Sequence, residues 1–169
     1  GGGGMGARGG DGVAVRALGA GDRGAWGPLW AGFVAEVGGL GPEGLPEEVT
    51  AGTWARVTAP EGYRGMKMRG LAAERGGELA GFAHFHFQHV TFALEPRIYL
   101  EDLFVAQEHR RQGVARALIE AVYAVADAEG CSEVYWKTGA TNARARALYD
   151  QVAGCNGETV YVRSLRPKK

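Results

Sequence analysis

The chain has 169 residues, 46% of them hydrophobic, which suffices for one domain with a sizeable core. Nineteen basic and nineteen acidic residues give a formal net charge of zero, so no global field recruits nucleic acid or an acidic membrane surface. Apolar runs fall far short of the roughly 20 residues that span a bilayer, no secretory leader is evident at the start, and Cys131 and Cys155 show neither metal-ligand spacing nor a disulfide framework, so a reducing cytosol is expected.

The opening "GGGGMGARGGDG", residues 1–12, reads as a flexible tail, leaving 13–169 as a single domain. "VAVRAL" (13–18) alternates as a strand. "AGDRGAWGPLWAGFVAEVG" offers Asp22 as an N-cap, with Trp26, Leu29, Trp30, Phe33 and Val37 at helical spacings, although Gly24, Gly27 and Pro28 weaken the helix. A Gly/Pro-rich connector leads to "PEEVTAGTWARVT", a second helix carrying Val49, Trp54 and Val57. "MKMRGLAAERG" and "ELAGFAHFHFQHV" form neighbouring strands through a Gly76-Gly77 hairpin. "RIYLEDLFV" is a strand with two acids at its middle. "GVARALIEAVYAVADAEG" is the clearest helix, with Val114, Leu118, Val122 and Val125 on one face and Gly130 at its end. "SEVYWKT" is a strand, "TNARARALYDQVA" a helix capped by Thr141 or Asn142, and "ETVYVRSL" a closing strand. Together these elements predict a mixed α/β (α+β) sheet.

Between Val105 and Leu118 the chain leaves a strand and enters a helix through "AQEHRRQGVAR". A helix N-terminus presents unpaired N–H groups and partial positive charge, which favour an anion. Gly113 and Ala115 are small where a phosphate would approach the backbone, and Arg110, Arg111 and Arg116 supply charge. A Walker loop is excluded, because no Gly-Lys-Ser/Thr follows, and the three glycines of the dinucleotide fingerprint are absent. A solvated basic helix start is the alternative reading of these residues alone.

Arg110, Gly113 and Ala115 match the Arg/Gln-x-x-Gly-x-Gly/Ala signature of the GNAT superfamily of acetyl-CoA-dependent N-acetyltransferases. Downstream, Asn142, Ala145, Leu148 and Tyr149 resemble that family's Asn-x-x-Ala-x-x-Leu-Tyr segment. The resemblance implies a twisted mixed sheet, splayed between its fourth and fifth strands, with helices on both faces. It implies acetyl-CoA as donor, its pyrophosphate wrapped by N–H groups from Arg111, Gln112, Gly113, Val114, Ala115 and Arg116. The backbone of Leu103, Phe104 and Val105 would pair with the pantetheine arm as an added strand, and Asn142 and Tyr149 would complete the donor site.

Acetyl transfer to an amine needs a neutral amine, a stabilised oxyanion and a proton for the departing thiolate. Tyr149 fits the acid, since a phenol near pKa ~10 keeps its proton at neutral pH; a packed core tyrosine is the alternative. Glu101 and Asp102 point to opposite faces if their strand is regular. Glu101 is the expected base, directly or through water, and Asp102 the anchor for a cationic amine, with salt bridging to arginines such as Arg97 as the competing role. His84 and His86 share a strand face and are expected to line the acceptor pocket rather than bind a metal. Trp30 and Glu36, with Trp26, could close that pocket, although aromatics at helical spacing often build core.

"IYLEDLFV" resembles the corresponding strand of spermidine/spermine acetyltransferases and their thialysine-acetylating relatives. "VYWKTGATNARARALYDQV" is similar to a fungal branch of small acetyltransferases linked to polyamines, histones and D-amino acids. The implied acceptor is the primary amine of a small cationic metabolite (polyamine, diamine or amino acid). A protein or histone lysine, or a silent acyl-CoA-binding module, are the alternatives. Related small members commonly dimerise, so a homodimer is expected. "GCNGETVYVRSL" departs from the family's usual Gly-Phe after the tyrosine helix.

Overall fold

The computed structural model describes residues 7–9, 12–40, 44–59, 61–62 and 65–163. Contacts divide the chain into two compact units, Gly1–Lys137 and Thr138–Lys169. In the first, six strands follow one another across a single sheet: β1 (Ala7–Gly9), β2 (Val13–Ala17), β3 (Met68–Arg75), β4 (Glu78–Gln88), β5 (Arg97–Val105) and β6 (Val134–Tyr135). All neighbours are antiparallel except the parallel β5–β6 pair. Among the described residues, three helices belong to this unit: α1 (Arg23–Glu36), α2 (Glu47–Thr58) and α3 (Val114–Ala128). The second unit holds α4 (Ala143–Val152).

Of the stretch read as a tail, residues 1–6, 10 and 11 lie outside the described residues, whereas Ala7–Gly9 extend the sheet beside β2. The Gly76-Gly77 turn forms as expected, with φ of 61° and 81°, the positive values that a two-residue hairpin needs. Alternation along the strands sorts the sheet into two faces. One carries Ala72, Phe82 and Phe104, which pack with Trp26, Trp30 and Val34 of α1 and Val57 of α2. α3 packs against β2, β3, β4 and β5, burying Val114, Leu118, Ile119, Val122 and Ala126. Packing overrides weak propensity in α1, which runs through Pro28 and three glycines because both tryptophans are buried. Val37 and Val49, expected on apolar faces, are exposed instead.

Two expected strands are corrected. The "SEVYWKT" strand pairs only at Val134 and Tyr135, opposite Ile98 and Tyr99, so the remainder of β5 has no β6 partner. This is the anticipated splay, since β5 and β6 are the fourth and fifth strands when counted from Val13. "ETVYVRSL" forms no strand over 158–163, and residues 164 and 165 lie outside the described set. Within the second unit no strand is there to pair with this alternation, because α4 is the only regular element among its described residues. Val160, Tyr161 and Val162 are accordingly exposed.

Candidate active site

The acidic strand departs from regular alternation at one residue. β4–β5 register runs from Gly81↔Val105 to His84↔Asp102, then resumes at Phe85↔Leu100, leaving Glu101 unmatched. Such a bulge turns consecutive side chains to one face. Glu101 and Asp102, expected on opposite faces, therefore address the same row of β4. Asp102 Oδ2 lies 2.9 Å from His84 Nδ1, and Glu101 Oε2 lies 3.1 Å from His86 Nε2. The Glu101 side chain keeps 44% of its exposure, against 16% for Asp102. Tyr99 completes the row, its ring edge-on to His86. Burial, then the nearby Glu101 charge, pushes the Tyr99 phenol up.

His84 does not line an open pocket. It is fully enclosed, stacked on Phe82 and flanked by Trp26 and Trp30, and its Nε2 accepts from Trp26 Nε1 at 3.1 Å. Trp30 is likewise core, buried and donating to Thr50 Oγ1 at 3.2 Å. Glu36, also expected beside the acceptor pocket, has its carboxylate on both terminal nitrogens of Arg110. The competing partner for Glu101 and Asp102 is absent from their bonds, since Arg97 pairs with Glu133 at 3.0 Å.

Beyond Tyr99 the outer edge of β5 has no strand partner among the described residues. Ala106 donates to Ala80 O at 2.9 Å, so in this antiparallel register Phe104 also turns its N–H and C=O toward β4. The intervening Leu103 and Val105 face the open side. Phe104 therefore offers no backbone group to a ligand, a correction imposed by the ladder. Its side chain packs instead in the α1 layer.

The chain then makes one 3-10 turn, Gln107–His109, and enters α3. Arg111 has φ 60° and is the positive-φ non-glycine residue among those described, while Gly113 at φ 80° caps α3 without a side-chain bond. Left-handed residues at the entry to a helix are the kind of turn from which an anion nest is built. Arg110 does not add its charge there, because its Nε donates to Val105 O at 3.0 Å and its other nitrogens hold Glu36. Arg111 is exposed. The Gln112 side chain turns inward, with Nε2 3.4 Å from Glu108 O and Oε1 buried without a protein partner. The nest and the edge amides of Leu103 and Val105 fit a diphosphate joined to an extended amide arm, the polar anatomy of coenzyme A.

In the second unit, Asn142 caps α4 by accepting from Ala145 N at 3.3 Å, and Tyr149 lies within the helix. Burial pushes the Tyr149 phenol up.

A family model described as the acetyltransferase (GNAT) family matches residues 45–154. Over 156 residues the chain is 35% identical to the D-amino-acid N-acetyltransferase of Saccharomyces cerevisiae, covering 91% of this chain and 92% of that relative. It is 35% identical over 75 residues to the thialysine N-epsilon-acetyltransferase of Bos taurus, 44% of each chain. An aminoglycoside N-acetyltransferase solved in complex with CoA shares the fold at a TM-score of 0.72 and 19% identity, over 91% of this chain and 95% of that one. A ribosomal-protein-alanine N-acetyltransferase from Brucella melitensis biovar Abortus 2308 does so at 0.70 and 21%, over 90% and 99%. The chain belongs to the acetyltransferase (GNAT) family. It is an N-acetyltransferase whose acetyl donor is acetyl-CoA.

Among the residues that sequence reasoning missed is the Trp26 contact to His84 and the Arg110 contacts to Glu36 and Val105. Gly70 carried a signal: a glycine inside a strand marks close approach, and here it makes room for Leu18, Val57 and His84.

Proposed function

We propose that the protein acetylates the primary amine of a small cationic metabolite, an amino acid or polyamine, by direct attack within a ternary complex. The observation that carries this reading is the bulge at Glu101, which sets two carboxylates on one face at the start of the unpaired edge of β5. Acetyl-CoA, when bound, supplies a thioester whose C–S bond breaks as the amine nitrogen bonds to the acetyl carbon. Glu101, the more exposed acid, attracts the ammonium form and takes its proton, directly or through water. His86 steadies that carboxylate from the neighbouring strand. An edge N–H of Leu103 or Val105 faces the side on which an oxyanion develops. Tyr149 is the proposed acid for the thiolate, and its raised pKa keeps the proton in place at neutral pH. Gln112, Gly113, Val114 and Ala115 complete the proposed donor site in the first unit, and Asn142 is proposed as a cofactor contact of the second.

The printed activities of the yeast and bovine relatives, on D-amino acids and thialysine, support an amine attached to a small polar body. We also propose a single catalytic domain over 13–169, with Ala7–Gly9 added to its sheet, that works as a cytosolic homodimer. The apolar strip at Val160–Val162 supports the second copy, and the free thiols of Cys131 and Cys155 support a reducing compartment.

Thiol release from acetyl-CoA, followed with spermidine, D-lysine, thialysine and histone peptides, tests the reading. Small cationic amines should be turned over. Turnover of histone peptides alone would replace it with a protein acetyltransferase, and background release with every acceptor would leave a CoA-binding module. Glu101→Gln and Tyr149→Phe should each lower kcat by about 100-fold or more, with coenzyme A affinity by calorimetry nearly unchanged. Unchanged turnover would remove that residue from its role.

A further inference from the structure

Contacts spaced along α1 meet the splayed half of β5 in order. Near the helix start, Trp26 donates to His84 Nε2 at 3.1 Å, and His84 Nδ1 reaches Asp102 at 2.9 Å. At mid-helix, Gly32 approaches Phe104 so closely that a Cβ there would lie 3.0 Å from the ring. At the last turn, Glu36 holds Arg110, whose Nε donates to Val105 O at 3.0 Å and whose guanidinium lies 5.6 Å from the Phe104 ring. Trp26 and Glu36 are separated by about 15 Å of helix.

The first contact fixes a tautomer. An indole N–H can only donate, so His84 Nε2 must present a lone pair and the ring proton sits on Nδ1, aimed at Asp102. The imidazole is wholly enclosed, leaving it no other partner to choose. The last contact fixes a carbonyl, because the Arg110 Nε–H occupies Val105 O while the Glu36 carboxylate holds the guanidinium fork in plane. Between them lies a strand segment whose outer edge has no neighbouring strand among the described residues. An edge without a partner loses half the ladder that would keep it extended and in register.

We propose that α1 is the positioning element of the cleft. Trp26, acting through His84, sets the acidic bulge for the acceptor, and Glu36, acting through Arg110, sets the Val105 end of the edge for acetyl-CoA. The acceptor half rests on the function proposed above; the donor half does not. Neither Trp26 nor Glu36 touches a reacting atom, so both are positioning residues. Their effects should separate by substrate, whereas a helix that merely adds stability would disturb both substrates together.

Steady-state kinetics with each substrate varied at saturating levels of the other provides the test, using whichever of spermidine, D-lysine and thialysine the wild type turns over fastest. Trp26→Phe, which keeps the ring and removes the N–H, should raise the acceptor KM about tenfold and leave the acetyl-CoA KM within about twofold. Glu36→Gln should do the reverse, with a matching loss of coenzyme A affinity by calorimetry. Trp26→Phe combined with His84→Asn should be no worse than the more damaging single change, since both act along one path. Shifts of both KM values together in either variant, or of neither, would overturn the proposal. Should Trp26→Phe fail to fold, nitrogen-15 NMR of the wild-type histidines decides the acceptor half: a proton on His84 Nδ1 supports it, and one on Nε2 overturns it. If no amine is acetylated, the functional reading falls, while the NMR assignment and calorimetry of Glu36→Gln still judge the helix.

Discussion

Complete burial of an imidazole removes both ring nitrogens from water, and each then needs a partner. His84 meets this demand with one donor above and one acceptor beside it, in a socket that also depends on Gly70. A Cβ at Gly70 would lie 2.5 Å from Leu18 Cδ1, 3.2 Å from Val57 Cβ and 3.4 Å from His84 Cδ2. The leucine terminus can yield, but Val57 and the ring are held by the packing around them. Gly70→Ala should therefore destabilise the fold by about 1–3 kcal/mol, as overpacked cores do, read from the urea midpoint. A midpoint equal to wild type would show that the socket relaxes at no cost. The sequence displayed the histidines and their shared face; it could not show that Trp26 would cap one of them, because that contact joins residues far apart in the chain.

At the scale of elements, the strand–turn–helix from Arg97 to Ala128 carries the proposed donor site. Its two left-handed residues do different work. Gly113 adopts φ 80° without strain, while Arg111 at φ 60° bears the steric cost that a Cβ incurs there, roughly 1 kcal/mol or more. Gly113→Ala should lower stability by about 1 kcal/mol and weaken coenzyme A binding in calorimetry. Arg111→Gly, which relieves the same kind of strain, should leave stability within about 0.5 kcal/mol of wild type or above it. If alanine at Gly113 binds coenzyme A as tightly as wild type, the nest does not hold the diphosphate. The bulge one element earlier was hidden for a different reason. Nothing in "RIYLEDLFV" violates strand chemistry, and the extra residue exists only relative to β4.

Across the first unit, ion pairs tie the layers to the sheet, and their titration gives a signature in acid. Arg16 of β2 binds Asp22 at 2.7 Å ahead of α1 and also reaches Glu74 of β3. Glu129, after α3, holds Lys67 at 3.0 Å and Arg69 at 2.6 Å. The Arg16 hydrogen bonds hold the Asp22 carboxyl below its usual range, and those from Lys67 and Arg69 do the same for Glu129. A carboxyl depressed in the folded state binds its proton more readily when unfolded. Its stabilisation is therefore present above the ordinary carboxylate pKa of ~4 and is lost as pH falls through the folded value. The melting temperature of the wild type should drop as pH falls below ~4. Asp22→Asn should melt lower at pH 7 and lose less on acidification. Parallel wild-type and Asp22→Asn curves would mean that this pair contributes nothing, and solvent screening makes the smaller effect the expected one at Glu129.

Local chemistry determined much of this protein from the sequence by itself. Apolar patterning placed α2, α3 and most strands to within a few residues, the N-cap at Asn142 opened α4, the Gly-Gly pair fixed the β3–β4 turn, and the spacing of Arg110, Gly113 and Ala115 marked the turn proposed to hold the diphosphate, because each depends on residues close in the chain. Tertiary structure alone decided where the splay begins, which backbone groups of β5 face outward, that Glu101 and Asp102 share a face, and that Arg110 serves Glu36 and Val105 rather than the nest. Those outcomes are set by register and by contacts between distant segments, and a pattern along one strand holds no record of which neighbour it will meet or of the single residue by which the two fall out of step.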